Sequence, residues 1–324
     1  MKKILFAVAF LLALAGASYF IYTEGVLPVN KDDTSKKLII IKQGSTVDEI
    51  ANTLFLEKLI RNRIVFYVVV KQLGIERELQ AGDFELSPSM DAYEMAKALT
   101  KGSIDVWVTI QEGLRKEEVA EIVSKELPNF SAAEFVNIAE EGYLFPDTYL
   151  IPRSADAEKV AEILKSTFDQ KIKSELDATK LAKLGLTEKE VITLASLVER
   201  EAALPEDRQP IASIFLRRLN EPMRLQVDAT VQYALGYDRT EKSWWKKGLT
   251  FEDLKIESPY NTYVADGIPP GPICNPGLAS IKAVLDANPK TPYLYYVNDI
   301  YGKLHYARNL EEHNKNVERY VNGQ

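Results

Sequence analysis

This chain has little of what builds covalent cross-links, metal sites or basic binding surfaces. It carries one cysteine, Cys274, and two histidines, His305 and His313, in 324 residues. A lone cysteine makes no internal disulfide, and one cysteine with two histidines does not complete an ordinary structural zinc site, so neither metal nor cofactor is expected. Cys274 lies in a Gly/Pro-rich run with no histidine motif beside it, the setting of a buried structural thiol rather than a nucleophile. The two histidines lack the neighbours of a catalytic triad. An excess of positive charge is missing too: 40 Lys and Arg face 47 Asp and Glu, a net charge of −7. That balance argues against nucleic acid or anionic lipid as the main partner.

What the chain does have is apolar material, 46% of its residues, enough for an anchor and about two domains. Met1-Lys2-Lys3 precedes an apolar run from Ile4 to Tyr22, long enough to cross a hydrocarbon core of about 30 Å as a helix. Ala15-Gly16-Ala17 also fits a signal-peptidase site, but Ser18 to Tyr22 prolongs the run, which favours an uncleaved anchor. Lys2 and Lys3 then keep the N-terminus in the cytoplasm and put the bulk of the chain outside the cytoplasmic membrane, single-pass. The expected division is an anchor at 1–22, a polar tether at 23–37, a small α/β region at 38–153 and a larger domain at 154–324.

The small α/β region carries an internal repeat. Leu38 to Lys42, Gly44 and a helix entered through Ser45 with Asp48 or Thr46 with Glu49 return 69 residues later as Val106 to Glu112, Gly113 and Leu114 to Glu126. Gly44 matches Gly113, Glu49 matches Glu118 and Ala51 matches Ala120. In the larger domain, helices are expected at 154–175, 187–203, 210–220, 278–288 and 310–320. A hairpin is expected around Tyr301-Gly302. The stretch 258–277 is broken by repeated Pro and Gly, and a loop of that length inside a compact domain is usually functional.

The helix expected at 187–203 places two carboxylates. At about 100° per residue, Ile192, Ala195, Ser196, Ala202 and Ala203 share the side of Glu199. Small neighbours leave room for a substrate, and apolar ones suit a general acid. Glu201 falls about 200° round, beside Leu194 and Leu197, so the two carboxylates do not enter one pocket from this helix. The alternative is that Glu199 caps or salt-bridges a neighbouring element through Arg200 or Arg217.

The motifs resolve into a longer pattern. Ala195-Ser196-Leu197-Val198-Glu199-Arg200-Glu201, then Arg208-Gln209-Pro210-Ile211-Ala212-Ser213-Ile214-Phe215, then Met223-Arg224-Leu225-Gln226-Val227-Asp228-Ala229-Thr230-Val231 stand in one order. Ser258-Pro259-Tyr260-Asn261-Thr262-Tyr263 and Gly267 to Gly277 follow. This resembles the endolytic murein transglycosylase family (MltG-like, formerly YceG-like), over nearly everything after the tether. Glu141 to Tyr149 is similar to a further run of that family. Ala229 stands where the family has proline, and Tyr306 to Asn309 departs from the family's run after the histidine.

The resemblance implies an α+β fold: an N-terminal transmembrane helix, LysM-like small α/β domains, and a mixed, mainly helical catalytic domain with a C-terminal β-hairpin. Ile41-Lys42-Gln43-Gly44-Ser45-Thr46 and Leu79 to Phe84 carry the LysM-like part. It also implies Glu199 as the catalytic residue of a peptidoglycan lytic transglycosylase that cleaves the MurNAc-GlcNAc bond of nascent strands. The partners implied are glycan strands and the peptidoglycan synthases, penicillin-binding proteins included. Such an enzyme needs one carboxylate, because the 6-hydroxyl of the muramic sugar attacks its own anomeric carbon while the acid first gives and then takes a proton. Gln226, Asp228, Tyr260, Asn261, Tyr263 and Asn275 are the substrate-binding candidates, as amides, a carboxylate and flat rings suited to sugar hydroxyls and acetamides. Asn261 and Asn275 have an alternative in bonding their own loop backbone. Trp244 and Trp245 are further stacking candidates. The competing reading is a non-catalytic peptidoglycan-binding scaffold.

Overall fold

A computed structural model describes residues 2–42, 44–101 and 105–323 of the chain. Met1, Gln43 and the side chains of Lys2 and Lys3, named above, lie outside that description. The chain divides into two compact units, one of residues 1–107, 126–130 and 150–156, the other of 108–125, 131–149 and 157–324. The boundary at 107 falls inside the region 38–153 expected as one block, because the second copy of the repeat contributes its helix to the later unit.

The first unit opens with α1 (Lys2–Val26). Its Val8–Val26 stretch is long and apolar enough to cross a membrane. The helix runs four residues beyond the expected end of the anchor, and the segment after it is not a free tether. Asn30 N donates to Pro88 O at 3.1 Å, Ser87 Oγ to Asp33 O at 2.9 Å, and Arg61 Nε to Pro28 O at 2.8 Å. Next come β1 (Lys37–Ile41), α2 (Val47–Leu56), α3 (Arg63–Leu73), β2 (Gly82–Leu86) and α4 (Ala92–Ala98). β1 and β2 pair antiparallel, Ile39 opposite Phe84. Alternation along β1 turns Ile39 and Ile41 inward, where they meet Ile50 and Leu54 of α2 and Phe66, Val69 and Val70 of α3. Of the two possible capping boxes, the chain uses Thr46 with Glu49.

β3 (Asp105–Thr109) pairs with β4 (Thr148–Pro152), and the division between units falls within both strands. Between them lie α5 (Lys116–Glu126) and α6 (Ala132–Ile138). The repeat holds locally: β1 and β3 are each followed by a glycine at positive φ, Gly44 at 80° and Gly113 at 76°, and then a helix.

The second unit is mainly helical: α7 (Ala157–Ile172), α8 (Ala178–Leu184), α9 (Glu188–Glu201), α10 (Arg208–Leu219), α11 (Asp228–Leu235) and α12 (Leu278–Leu285). α9 is its axis. A Thr187–Glu190 capping box starts it, and every residue from Val191 to Val198 is buried, the pattern of a helix enclosed on all sides. α10 and α12 pack against it, bringing Ile211, Phe215, Ile281 and Val284 to Leu194, Leu197 and Val198. The stretch 258–277 has no helix or strand, as its Pro and Gly content requires. β5 (Tyr295–Asn298) and β6 (Leu304–Ala307) form the expected hairpin, with Gly302 at φ 79° in its turn, and α13 (Leu310–Val317) follows.

Candidate active site

The two glutamates of α9 part company at its last turn. Glu201 is the final helical residue, and Ala202 already has extended backbone at ψ 107°. Leaving the helix there frees Glu201 from the leucine-lined core and turns it to a cavity of about 300 Å³, near the lower end of the ~300–1,000 Å³ usual for ligand pockets. Glu201, Gln226, Asp228, Tyr263, Tyr295 and Tyr296 line it with Arg218, Leu310 and His313. Three of the sequence candidates, Gln226, Asp228 and Tyr263, thus come together, but around Glu201 rather than Glu199.

Each wall has a local cause. Gln226 sits just before α11 with φ at 51°, and its N–H bonds Thr262 O at 3.2 Å. Asp228 begins α11, where a carboxylate suits the helix N-terminus, and its Oδ1 accepts a 2.5 Å hydrogen bond from the Tyr263 hydroxyl. Tyr296 arrives on β5 and donates its hydroxyl to Glu201 Oε2 at 2.8 Å. Arg218 is buried beneath. Its Nε donates to Leu294 O at 2.8 Å, and its guanidinium lies 5.4 Å from the centre of the Tyr295 ring.

Burial raises the Glu201 carboxyl to about 7; the negative Asp228 adds to the rise, while the Tyr296 hydroxyl, Arg200 and Arg218 hold it down. A carboxyl poised there exchanges a proton near neutrality. Burial and the neighbouring Arg218 lower the His313 imidazole, so it stays uncharged near neutrality.

Glu199 has a different setting. Its side chain is 6% exposed; Oε2 accepts from Gly277 N at 2.9 Å and Oε1 lies 3.4 Å from Arg208 Nη2. Glu112 reaches the same guanidinium at 3.5 Å. Glu112 is raised by burial and by the like charge of Glu199, and held down by Arg208. The small residues on this side of α9 do not leave an open cleft. Ile192, Ala195 and Ser196 are fully buried, and the loop after Gly271 packs onto them. Ile273 N donates to Ser196 Oγ at 3.0 Å, and the Cys274 thiol to Ser196 O at 3.3 Å. Small side chains here admit backbone rather than substrate.

The two asparagines also differ from expectation. Asn275 is fully buried; its Oδ1 accepts from Gly142 N and Leu144 N, both at 2.9 Å, and its Nδ2 donates to Leu114 O and Glu141 Oε1. Asn261, equally buried, donates to Leu254 O and Ile256 O and accepts from Tyr263 N. Asn261 spends its donors on its own loop, the alternative that the sequence left open, whereas Asn275 spends its donors on Leu114 and Glu141, far away in the chain. Tyr260 packs against Tyr233, ring centres 4.8 Å apart, outside the Glu201 cavity lining. Trp244 and Trp245 donate their indole N–H groups to Glu121 and Glu118, both at 2.9 Å, and Arg200 stacks 3.8 Å from the Trp245 ring centre.

Arg218, Tyr295 and Tyr296 were not among the sequence candidates, and Glu201 and His313, which the sequence set beside the leucines of the helix and outside any triad, line this cavity too. The available signal was helix length: a carboxylate in the last turn follows the exit of the chain, not the face of an endless helix.

Residues 39–319 match the family model described as YceG-like. The chain belongs to the YceG-like family. This YceG-like chain is similar to the endolytic murein transglycosylase of Bacillus subtilis strain 168, with 32% identity covering 96% of this chain and 91% of that one. It is 30% identical to the endolytic murein transglycosylase of Streptococcus pneumoniae R6, covering 97% of this chain and 64% of the pneumococcal protein. Among solved structures, a putative YceG-like protein of Listeria monocytogenes superposes with a TM-score of 0.57 at 31% identity, over 87% of this chain and 99% of that one.

Proposed function

We propose that this YceG-like chain is a membrane-anchored endolytic lytic transglycosylase, a lyase that cuts the β-1,4 bond between MurNAc and GlcNAc in nascent glycan and leaves a 1,6-anhydro-muramic end. Cutting near the bilayer ends strand elongation. The observation that carries the reading is Glu201: a carboxyl poised at about 7, on the wall of a cavity shared with Gln226, Asp228 and Tyr263. Glu201 donates its proton to the bridging oxygen as the bond breaks, then takes the proton of the muramic 6-hydroxyl as that oxygen closes on the anomeric carbon. Such acid and base assistance contributes about 10²–10⁴-fold. Gln226 and Asp228 offer an amide and a carboxylate to acetamide and hydroxyl groups, and the Tyr263 and Tyr295 rings offer flat contact.

A second reading keeps the proton carrier on Glu199, where the notable feature is Glu112 across Arg208, a carboxyl raised toward protonation. Mass spectrometry of purified glycan treated with the protein, with Glu201→Gln and with Glu199→Gln separates the two. Anhydro ends from wild type and Glu199→Gln but not from Glu201→Gln support Glu201; the reverse pattern supports Glu199. Reducing ends indicate hydrolysis, and unchanged glycan in every case leaves the non-catalytic scaffold.

The names of the Bacillus and Streptococcus relatives support glycan as the substrate. The β1–α2–α3–β2 order of the first unit supports a LysM-like glycan-holding role. The apolar helix supports a single-pass anchor with the bulk of the chain outside, beside the peptidoglycan synthases as partners.

A further inference from the structure

The apolar helix does not end before the first unit begins; its last turns belong to that unit. Gly25 is buried so tightly against α3 that a Cβ there would lie 2.6 Å from a methyl of Val65. Tyr22 donates to Gln72 Oε1 at 2.6 Å, its hydroxyl lies 2.5 Å from that of Tyr93, and Glu24 pairs with Arg61 at 3.1 Å. Gly25 thus meets the start of α3 and Tyr22 its end, so the two helices run antiparallel. Traced back toward its N-terminus, α1 leaves the unit past the Lys71 end of α3.

Length then fixes the level of the bilayer. With Tyr22 to Gly25 held by the unit, the last turn of the Val8–Val26 stretch is taken up there. The apolar run left to cross is Ile4 to Ile21, which at about 1.5 Å per residue spans roughly 27 Å, close to the ~30 Å of a hydrocarbon core. No slack remains between that core and Tyr22, which is already bonded to the folded unit. Around this point the surface presents Tyr19, 72% exposed, the half-open Tyr67 and Tyr93, and Lys71 with its Nζ 5.3 Å from the Tyr67 ring centre. Tyrosines settle at the headgroup level, and the exposed Lys71 ammonium, 3.6 Å from Glu76 Oε1, exchanges that loose pairing for phosphate while its stem lies on apolar surface.

We propose that α1 is a rigid stem rather than a flexible tether, and that the Lys71 end of α3, with Tyr67 and Tyr93, rests in the lipid headgroup layer and holds the first unit in one orientation. This rests on the anchor reading above. The occupant of the patch is the bilayer itself, because the spanning helix and the patch are continuous.

The test uses full-length protein in phosphatidylcholine–phosphatidylglycerol vesicles containing phosphatidylcholine with a nitroxide on its headgroup. A fluorophore is placed at Lys71→Cys or, at the opposite end of α3, at Arg63→Cys; Cys274 is fully buried and stays unlabelled. The expected result is loss of fluorescence at position 71 and none at position 63, with the reverse order for quenching by iodide in solution. Equal quenching at both positions in protein that floats with the vesicles after an alkaline wash overturns the rigid stem and leaves the anchor standing. Failure to float overturns the anchor, and the stem with it.

Discussion

The hydroxyl of Tyr296, on the first strand of the C-terminal hairpin, donates a 2.8 Å hydrogen bond to the carboxyl of Glu201 at the end of α9. The two residues are 95 apart in the chain, and their bond ties the central helix to the hairpin that closes the cavity.

Glu201→Gln keeps the shape and the Tyr296 contact but removes the exchangeable proton. Transglycosylase activity should fall by about 10²-fold or more, with the fold retained. Release of anhydro-ended fragments, beside far-ultraviolet circular dichroism, checks this; near-normal turnover would exclude Glu201 as proton carrier.

Tyr296→Phe deletes one of the groups that hold the Glu201 carboxyl down. With Glu201 as proton carrier, the loss of activity with rising pH is expected near 7 in the wild type and at higher pH in the variant. A pH–rate profile reads the shift directly, and an unmoved limb would mean that another group governs it.

Glu199→Gln removes one of the two negative partners of Arg208, Glu112 being the other, at a site where the Glu199 side chain is 6% and the arginine 18% exposed. The cost should be about 1–3 kcal/mol, with activity of the folded protein reduced less than roughly tenfold. Urea denaturation and turnover on the same samples decide whether Glu199 braces or reacts.

Asn275→Ala strands the N–H groups of Gly142 and Leu144 in a buried setting and takes a donor from Glu141, while the Leu114 carbonyl keeps the backbone N–H of residue 275. A loss of about 2–4 kcal/mol in unfolding free energy is expected. A purely ligand-binding asparagine would instead raise KM and leave stability unchanged, so both are measured.

Glu201 and Glu141 give stability a pH dependence of definite sign. Burial raises them to about 7 and about 8 from an ordinary 4.5, with the neighbouring Glu117 adding to the rise at Glu141. Between those limits the folded protein binds more protons than the unfolded chain. Their stabilisation is complete below pH 4.5 and fades as pH climbs through 7 and 8. Thermal melts of the wild type minus those of Glu141→Gln should show a difference that grows with pH up to about 8 and then levels.

Some features follow from the chain alone because they depend on neighbours in sequence. The apolar run that becomes α1, the Thr187–Glu190 start of α9, the irregular stretch 258–277 and the turn at Gly302 all rest on local propensity, capping and backbone freedom. The grouping of Gln226, Asp228 and Tyr263 was also legible, as motifs. Which glutamate faces a cavity was not. Helical periodicity assigned Glu199 to an open side, yet the loop at 272–277 fills that side through Ile273 and Gly277. The chain leaves the helix one residue after Glu201, where Tyr296 comes from far along the sequence. Occupancy of a helix face and the exit of its last turn are set by segments packed against it, and only the tertiary structure brings those together.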